Sequence, residues 1–455
     1  MSELRRFHLI SSGCPKNLVD SAGITTLLQR AGYAAVPTPE EADLLIVNTC
    51  GFIAPAREES LDVLRELVET RQPGQRIVAA GCYSQRCPHE LAEAVPGIDG
   101  LIGTRRWTDI VSLVERLETS PTPLPPLVGE PALTGVAGGR GGAMPDVPRV
   151  AVQGASAYLK LADGCRRSCA FCAIPLIKGP GVSRPPQAIL ADAGWLADQG
   201  VQEIVLIAQD TTDYGHDLGM REGLADLLER VVAAVPQVRW IRLMYAYPGR
   251  VTERLIETLA RHPQILPYLD IPLQHAHPDV LRRMRRPADV EGVRRTVERL
   301  RAAMPQIAIR TTFLVGFPGE TEAEFQTLLD FVAKMEFDRV GVFVYSHEGG
   351  TSAARLDDDV PPEVKERRRE RLMEIQQPIS LAKNQALVGR TLDVLIEGQG
   401  DGVSVGRSYR DAPEIDGLVL VRADLPVGEI VPVRITAALE YDLVGSPVTP
   451  CAPQR

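Results

Sequence analysis

Three cysteines lie within eight residues of one another in Cys165-Arg-Arg-Ser-Cys169-Ala-Phe-Cys172. They follow an apolar run, Tyr158–Ala162, that reads as a buried strand, and the turn Asp163-Gly164. Thiolates this close together can hold three corners of an iron–sulfur cubane and leave its fourth iron open. The competing reading is a structural zinc site. Zinc normally takes four protein ligands, and His216 stands 44 residues beyond Cys172. The motif asks for a fold that delivers a loop of thiols from the end of a strand.

The surrounding pattern supplies such a fold. Six candidate strands recur between residues 151 and 345: Tyr158–Ala162, Glu203–Ala208, Trp240–Tyr245, Tyr268–Ile271, Ile307–Val315 and Val340–Tyr345. Helical segments lie between them, among them Pro186–Gln199, Gly223–Ala234 and Glu322–Met335. Six β/α units suit an incomplete parallel barrel, with an open doubly wound sheet as the alternative. Upstream, the apolar runs Phe7–Ile10, Leu44–Val47 and Ile77–Ala80 alternate with helical patterns such as Ser60–Glu69, which predicts an open parallel α/β domain. Pro121-Thr-Pro-Leu-Pro-Pro126 and the glycines at 138, 139, 141 and 142 read as a linker. Beyond the barrel, Pro361 to about Ala386 reads as a charged helical bridge with a solvated face that includes Glu363, Lys365, Glu366, Arg367 and Glu370. Short strands then follow at Thr391–Ile396, Gly417–Val421 and Val431–Ala437, which predict a small all-β barrel. The expected fold class is α/β, in segments 5–117, 118–150, 151–382 and 383–450.

A net charge of −9 argues against a chain coated in basic surface for nucleic acid. No stretch approaches the roughly 18 apolar residues of a membrane helix, and Met1–Ser12 has no leader-like core. The expectation is a soluble cytoplasmic protein with no membrane partner. In that reducing compartment, eight cysteines point to metal ligation or catalysis rather than disulfides.

Three of the other cysteines share a placement. Cys14, Cys50 and Cys82 each stand just past a predicted strand, in Gly13-Cys-Pro-Lys-Asn17, Asn48-Thr-Cys-Gly-Phe-Ile53 and Gly81-Cys-Tyr-Ser-Gln-Arg86. Ligands of open α/β sheets bind outside the carboxyl ends of the strands, so these three can converge as a second three-thiolate site. Taken singly, each also reads as a buried apolar cysteine. Cys87 reads as spare and Cys451, in the tail, as inert.

An open iron can chelate the amino and carboxylate groups of S-adenosylmethionine, and an electron from the cluster then releases a 5′-deoxyadenosyl radical. Together the motifs resemble the methylthiotransferase family of radical S-adenosylmethionine enzymes over nearly the whole chain. The resemblance implies a partial (β/α)6 radical barrel, a TRAM-like terminal β-module and two [4Fe-4S] clusters. It assigns the auxiliary cluster to Cys14, Cys50 and Cys82, and the radical cluster to Cys165, Cys169 and Cys172. It also implies that one S-adenosylmethionine methylates sulfur and a second supplies the radical. A low-potential electron donor of flavodoxin or ferredoxin type goes with that chemistry.

Within the family, Gly13-Cys-Pro-Lys-Asn-Leu-Val-Asp-Ser21, Tyr268-Leu-Asp-Ile-Pro-Leu-Gln-His275 and Gly406-Arg-Ser-Tyr-Arg-Asp-Ala-Pro-Glu-Ile-Asp-Gly417 look like one branch. That branch modifies the β-carbon of an aspartate in ribosomal protein S12. The branch acting on adenosine in tRNA usually has Gln-Met after the first cysteine. Ala22 departs from the family, which commonly has Glu there. Residues 383–455 hold seven basic and ten acidic side chains, a balance that suits a basic protein partner better than RNA. Asp411, Glu414 and Asp416 are the expected docking charges. A redox or scaffold protein that merely carries clusters is the rival of another class. Gln209, Asp210, Gln274 and Thr312 are candidates to contact the amino acid or ribose of the cofactor, and Phe171 to pack on its adenine. Each is as readily scaffold, and so are Tyr245 and Tyr247 at the expected substrate mouth.

Overall fold

The computed structural model describes residues 5–120, 122–129 and 147–448. Cys451 and the four linker glycines lie outside the described residues. The N-terminal sheet is parallel, with strand order β2-β1-β3-β4-β5. Its strands are β1 (Arg6–Ser11), β2 (Ala34–Ala35), β3 (Leu44–Thr49), β4 (Arg76–Gly81) and β5 (Gly100–Gly103). Nearly all of β3 and β4 is buried, as befits parallel strands covered on both faces. The two-residue β2 and the glycine-bounded β5 carry no such apolar run, and the sequence pattern missed them. The order reverses between β1 and β3, which opens a crevice beyond their carboxyl ends. Register levels those ends: Ser11 pairs with Asn48, and Thr49 with Gly81.

The second sheet has the order β14-β13-β12-β11-β10-β7-β6. Its strands are β6 (Val150–Gln153), β7 (Ser156–Lys160), β10 (Glu203–Ile207), β11 (Trp240–Leu243), β12 (Ile265–Asp270), β13 (Ala308–Val315) and β14 (Arg339–Val344). The small pair β8 (Ala162–Asp163) and β9 (Val182–Ser183) stands apart. From β7 to β14 the parallel strands follow one another in chain order, so right-handed crossovers place the connecting helices on one face. That is a curled partial barrel, not the doubly wound alternative. Strand β6 pairs antiparallel with β7 at the open edge. Side chains alternate as a strand requires. Ile204 and Leu206 pack on Leu196 and Leu228 of the helices, whereas Val205 and Ile207 face the barrel interior with Tyr158, Tyr268 and Val19 of the N-terminal domain.

The C-terminal strands β15 (Thr391–Gly400), β16 (Val403–Ser408), β17 (Val419–Val421), β18 (Ile430–Ala438) and β19 (Leu443–Pro447) close into a barrel. The Pro362–Gln385 helix leading to it is more than a solvated bridge. Lys365, Arg368, Leu372, Gln376, Ser380 and Asn384 form a buried stripe at helical spacing. Its polar members reach main-chain oxygens: Gln376 donates to Phe337 (2.9 Å), Ser380 to Glu440 (2.6 Å) and Asn384 to Leu439 (3.0 Å).

The expected docking charges need a similar correction. Asp411 pairs with Arg339 at 2.5 Å, and Asp416 accepts from the Tyr268 hydroxyl at 2.6 Å. Both side chains are buried, and only Glu414 is exposed. Two of the three acids therefore fasten the β-module to the radical barrel rather than face a partner. A count of charges cannot distinguish the two uses.

Candidate active site

Cys14 caps helix α1 (Pro15–Arg30), Cys50 follows β3, and Cys82 opens the short helix α2 (Cys82–Arg86). Gly13 has φ +95, and a Cβ there would stand 2.8 Å from the Cys50 Cβ and 3.1 Å from its Sγ. Only glycine lets the Cys14 turn and Cys50 meet so closely. Asn17, buried on α1, donates to the carbonyls of Ser12 (3.0 Å) and Thr49 (3.2 Å) and accepts from the Cys82 thiol (3.5 Å). One amide thus ties the three strand ends together. The sequence reading passed over it, although it lies within the Gly13–Asn17 motif.

Around the other triplet, the Arg167 amide donates to Cys165 Sγ at 3.4 Å, and Arg286 donates to Cys169 Sγ at 3.6 Å. Gly164 (φ +72) lies against the Gly179–Pro180 main chain, where a Cβ would clash at 2.1 Å. The arginines between the cysteines reach the loop after β10: Arg167 pairs with Asp210 at 2.6 Å and Arg166 with Asp213 at 2.9 Å. Arg167 and Arg286 also stack on Tyr247, 4.4 and 4.3 Å from its ring centre.

Burial pushes the thiols of Cys82 and Cys172 up to about 12 and that of Cys165 to about 11. Such thiols are poor nucleophiles at neutral pH, whereas coordination to a metal deprotonates them outright. Zinc would draw its ligand sulfurs to about 2.3 Å from one centre. Among the described residues, three potential ligand atoms approach within 4.8 Å only at His277, Asp279 and Glu324. Glu324 there is taken by Arg283 and by the cap of its own helix. Neither cysteine triplet is drawn in as tightly as a single zinc ion requires.

The other expected residues are placed unevenly. Gln274 (φ +75) and Thr312 meet, with the Gln274 amide donating to the Thr312 carbonyl at 2.8 Å. The Thr312 hydroxyl accepts from Arg310 at 3.2 Å. Gln209 and Asp210 follow β10, where Gln209 is half-buried and the Asp210 carboxylate is committed to Arg167 and Thr212. Phe171 packs into an apolar cluster with Phe317 and Tyr345.

The two cysteine regions touch. Cys82 shares a small buried cluster with Ala173, which directly follows Cys172, and with Ile177. Two charge networks surround this seam. Asp20 on α1 accepts from Arg149 (2.5 Å), Lys160 (2.8 Å) and Lys178 (2.6 Å). Burial opposes its ionisation, yet these cations hold its pKa far below the usual range. Glu348, in the loop after β14, pairs with Arg57 (2.5 Å) and Arg86 (2.8 Å) of the N-terminal domain. Neither acid was singled out in the sequence: Asp20 lies unassigned within the Gly13–Ser21 motif, and Glu348 lies in no motif.

A three-cysteine loop delivered from the first parallel strand of a curled β/α barrel defines the class: this is a radical S-adenosylmethionine protein, and so an iron–sulfur one. Residues 159–332 match the radical SAM superfamily, 6–103 the uncharacterized protein family UPF0004 and 388–448 the TRAM domain. Similar curated proteins carry the match much further. The chain is 53% identical to the ribosomal protein uS12 methylthiotransferase RimO of Chloroflexus aurantiacus, covering 97% of this chain and 99% of the relative. It is 51% identical to the protein of that name from a Roseiflexus species, covering 97% of each. The chain belongs to the RimO family of radical S-adenosylmethionine methylthiotransferases. Among solved structures, the methyltransferase TsrM of Kitasatospora setae aligns with a TM-score of 0.54 at 17% identity, over 75% of this chain and 72% of that one. At that identity the likeness concerns fold alone. No helix among the described residues is long and apolar enough to cross a membrane.

Proposed function

We propose that this chain methylthiolates the β-carbon of an aspartate in ribosomal protein uS12, with one [4Fe-4S] cluster on Cys14, Cys50 and Cys82 and a second on Cys165, Cys169 and Cys172. The observation that carries the reading is the packing of Cys82 on Ala173, the residue after Cys172, which makes the two cysteine regions neighbours. Relatives named for that activity, similar over nearly the full chain, support the substrate. When bound, a cluster with an open iron supplies the electron that cleaves S-adenosylmethionine and releases the hydrogen-abstracting radical.

The chain's own residues do the rest. Asn17 sets the spacing of the auxiliary thiols, and Arg286 stabilises the Cys169 sulfur. Asp210 positions the radical loop through Arg167, while Gln209, Gln274, Thr312 and Phe171 are the candidates for contacts to S-adenosylmethionine. A cytoplasmic setting and a flavodoxin- or ferredoxin-type donor fit this chemistry.

The test offers the anaerobically reconstituted enzyme uS12 and unmodified tRNA in parallel. A methylthio mass gain on uS12 alone is expected. A gain on tRNA alone refutes the substrate. Replacing the Cys14, Cys50 and Cys82 triplet should remove about half the bound iron, and full iron content in that variant refutes the second cluster.

A further inference from the structure

Lys16 stands two residues beyond Cys14 in the first turn of α1 and is only 5% exposed. Its ammonium lies 3.0 Å from the centre of the Tyr245 ring and makes no hydrogen bond or ion pair with any described residue. The buried carboxylates of this region are already committed. Asp270 receives Arg310 at 3.0 Å and the Tyr245 amide at 3.3 Å, and Asp20 holds its three cations. An aromatic face offsets only part of the cost of burying an ammonium without an anion.

Tyr245 itself is held at φ +63, an outlier for a bulky side chain. Its amide on Asp270 and its carbonyl, which accepts from the Thr211 amide at 3.0 Å, keep it there. Strain maintained by such contacts is typical of ligand clamps. The segment spans both cysteine sites. Tyr245 backs Lys16 within the Cys14 motif, and Tyr247 stacks on the arginine that donates to Cys169.

We propose that Lys16 determines substrate specificity: its ammonium, backed by the Tyr245 ring, receives the carboxylate of the target aspartate and holds the β-carbon between the two cysteine triplets. This inference rests on the aspartate reading above. A neutral adenine offers no anion to this position, whereas an aspartyl side chain carries one on the carbon adjoining the site of attack.

The experiment measures binding of two uS12 loop peptides, with Asp or Asn at the target position, to reconstituted holoenzyme carrying S-adenosylmethionine. Wild type, Lys16→Gln and Lys16→Arg are compared by fluorescence anisotropy. Wild type should prefer the Asp peptide by about thirtyfold, the worth of one desolvated charge pair. Lys16→Gln should bring the ratio close to one, and Lys16→Arg should keep most of it. The ratio is taken within one protein, so a general loss of fold or cluster affects both arms alike. A preference that persists in Lys16→Gln overturns the proposal and assigns Lys16 to balancing the charge of the auxiliary site. Equal binding of both peptides by wild type overturns it too. If wild type modifies uS12 while the preference persists in Lys16→Gln, only the Lys16 inference falls. If wild type modifies tRNA and not uS12, the substrate reading falls with it.

Discussion

Asp20→Asn keeps the shape of the side chain at the seam between the two cysteine regions and removes its charge. The Asp20 side chain is 3% exposed, and its two oxygens hold three cations: Arg149, Lys160 and Lys178. After the substitution, Asp163 alone would balance Arg149 and Lys160, and that carboxylate is 35% exposed. Lys178 would lose its ion pair and keep neutral acceptors such as the Thr104 hydroxyl, 2.8 Å away. Removing one member of a buried charge network costs about 3–5 kcal/mol. The loss should appear as a lower urea midpoint of the metal-free protein, at the first transition if domains unfold separately. Hydrogen exchange should quicken on both sides of the seam, in α1 and in the Ile174–Lys178 helix. The double variant Asp20→Asn/Lys178→Met removes an orphaned cation together with its anion and should recover part of the loss. A cost below about 1 kcal/mol for Asp20→Asn, or strict additivity in the double variant, would refute the view that these charges close the interface.

Two further outcomes follow from the same geometry. Gly13→Ala places a methyl group 2.8 Å from the Cys50 Cβ at a positive φ, so the reconstituted variant should lose about half its iron, and unchanged iron would refute the convergence of Cys14 and Cys50. Glu203 is fully buried against Arg242 (2.7 Å) and Arg407 (2.6 Å); burial opposes its charge, but the guanidiniums hold its pKa at about 2, below the ordinary glutamate value of 4.5. A carboxylate depressed by folding stabilises fully above its unfolded pKa and loses that contribution as pH falls through the folded one. Here that amounts to about 3 kcal/mol lost between pH 4.5 and 2. Urea midpoints taken across that range should fall with a slope that Glu203→Gln flattens.

Much of the architecture was legible because its signals are local. Leu44–Val47 and Ile77–Ala80 are buried on both faces and therefore read as unbroken apolar runs. The cysteines were legible by position, since each follows a strand whose end is level with its neighbours. The expectation failed where polar residues are buried by pairing across long sequence distances. Asp411 meets Arg339 and Asp416 meets Tyr268 and Arg310, contacts that no periodicity announces. The Pro362–Gln385 stripe reads as solvated for the same reason: its buried positions carry Lys, Arg, Gln, Ser and Asn, each bonded to a group outside the helix. Lys16 and Asn17 sat inside a motif read for its cysteine and its family branch, with no role given to either side chain, although Asn17 bonds the Cys82 thiol and Lys16 packs on Tyr245.

The same long-range pairs explain how three domains can serve one site. Buried ion pairs add little net stability over apolar residues of equal volume, so stability alone does not account for Asp20, Glu203, Glu348 and Asp411, all buried at domain seams. What such pairs add is alignment. An apolar seam tolerates a small slide, whereas a slide here would orphan several buried charges, each at a cost of kilocalories. Cys82 belongs to one domain, and Ala173, on which it packs, belongs to another. Any transfer between the two cysteine sites depends on a separation that no backbone hydrogen bond within either domain enforces. Asp20 and Glu348 enforce it from opposite sides of the seam, through Lys178 at the end of the helix that follows Cys172 and through Arg86 at the end of the helix that Cys82 begins. We infer that these networks hold the two cysteine regions in register, and quickened hydrogen exchange in α1 and the Ile174–Lys178 helix of Asp20→Asn is the readout of that role.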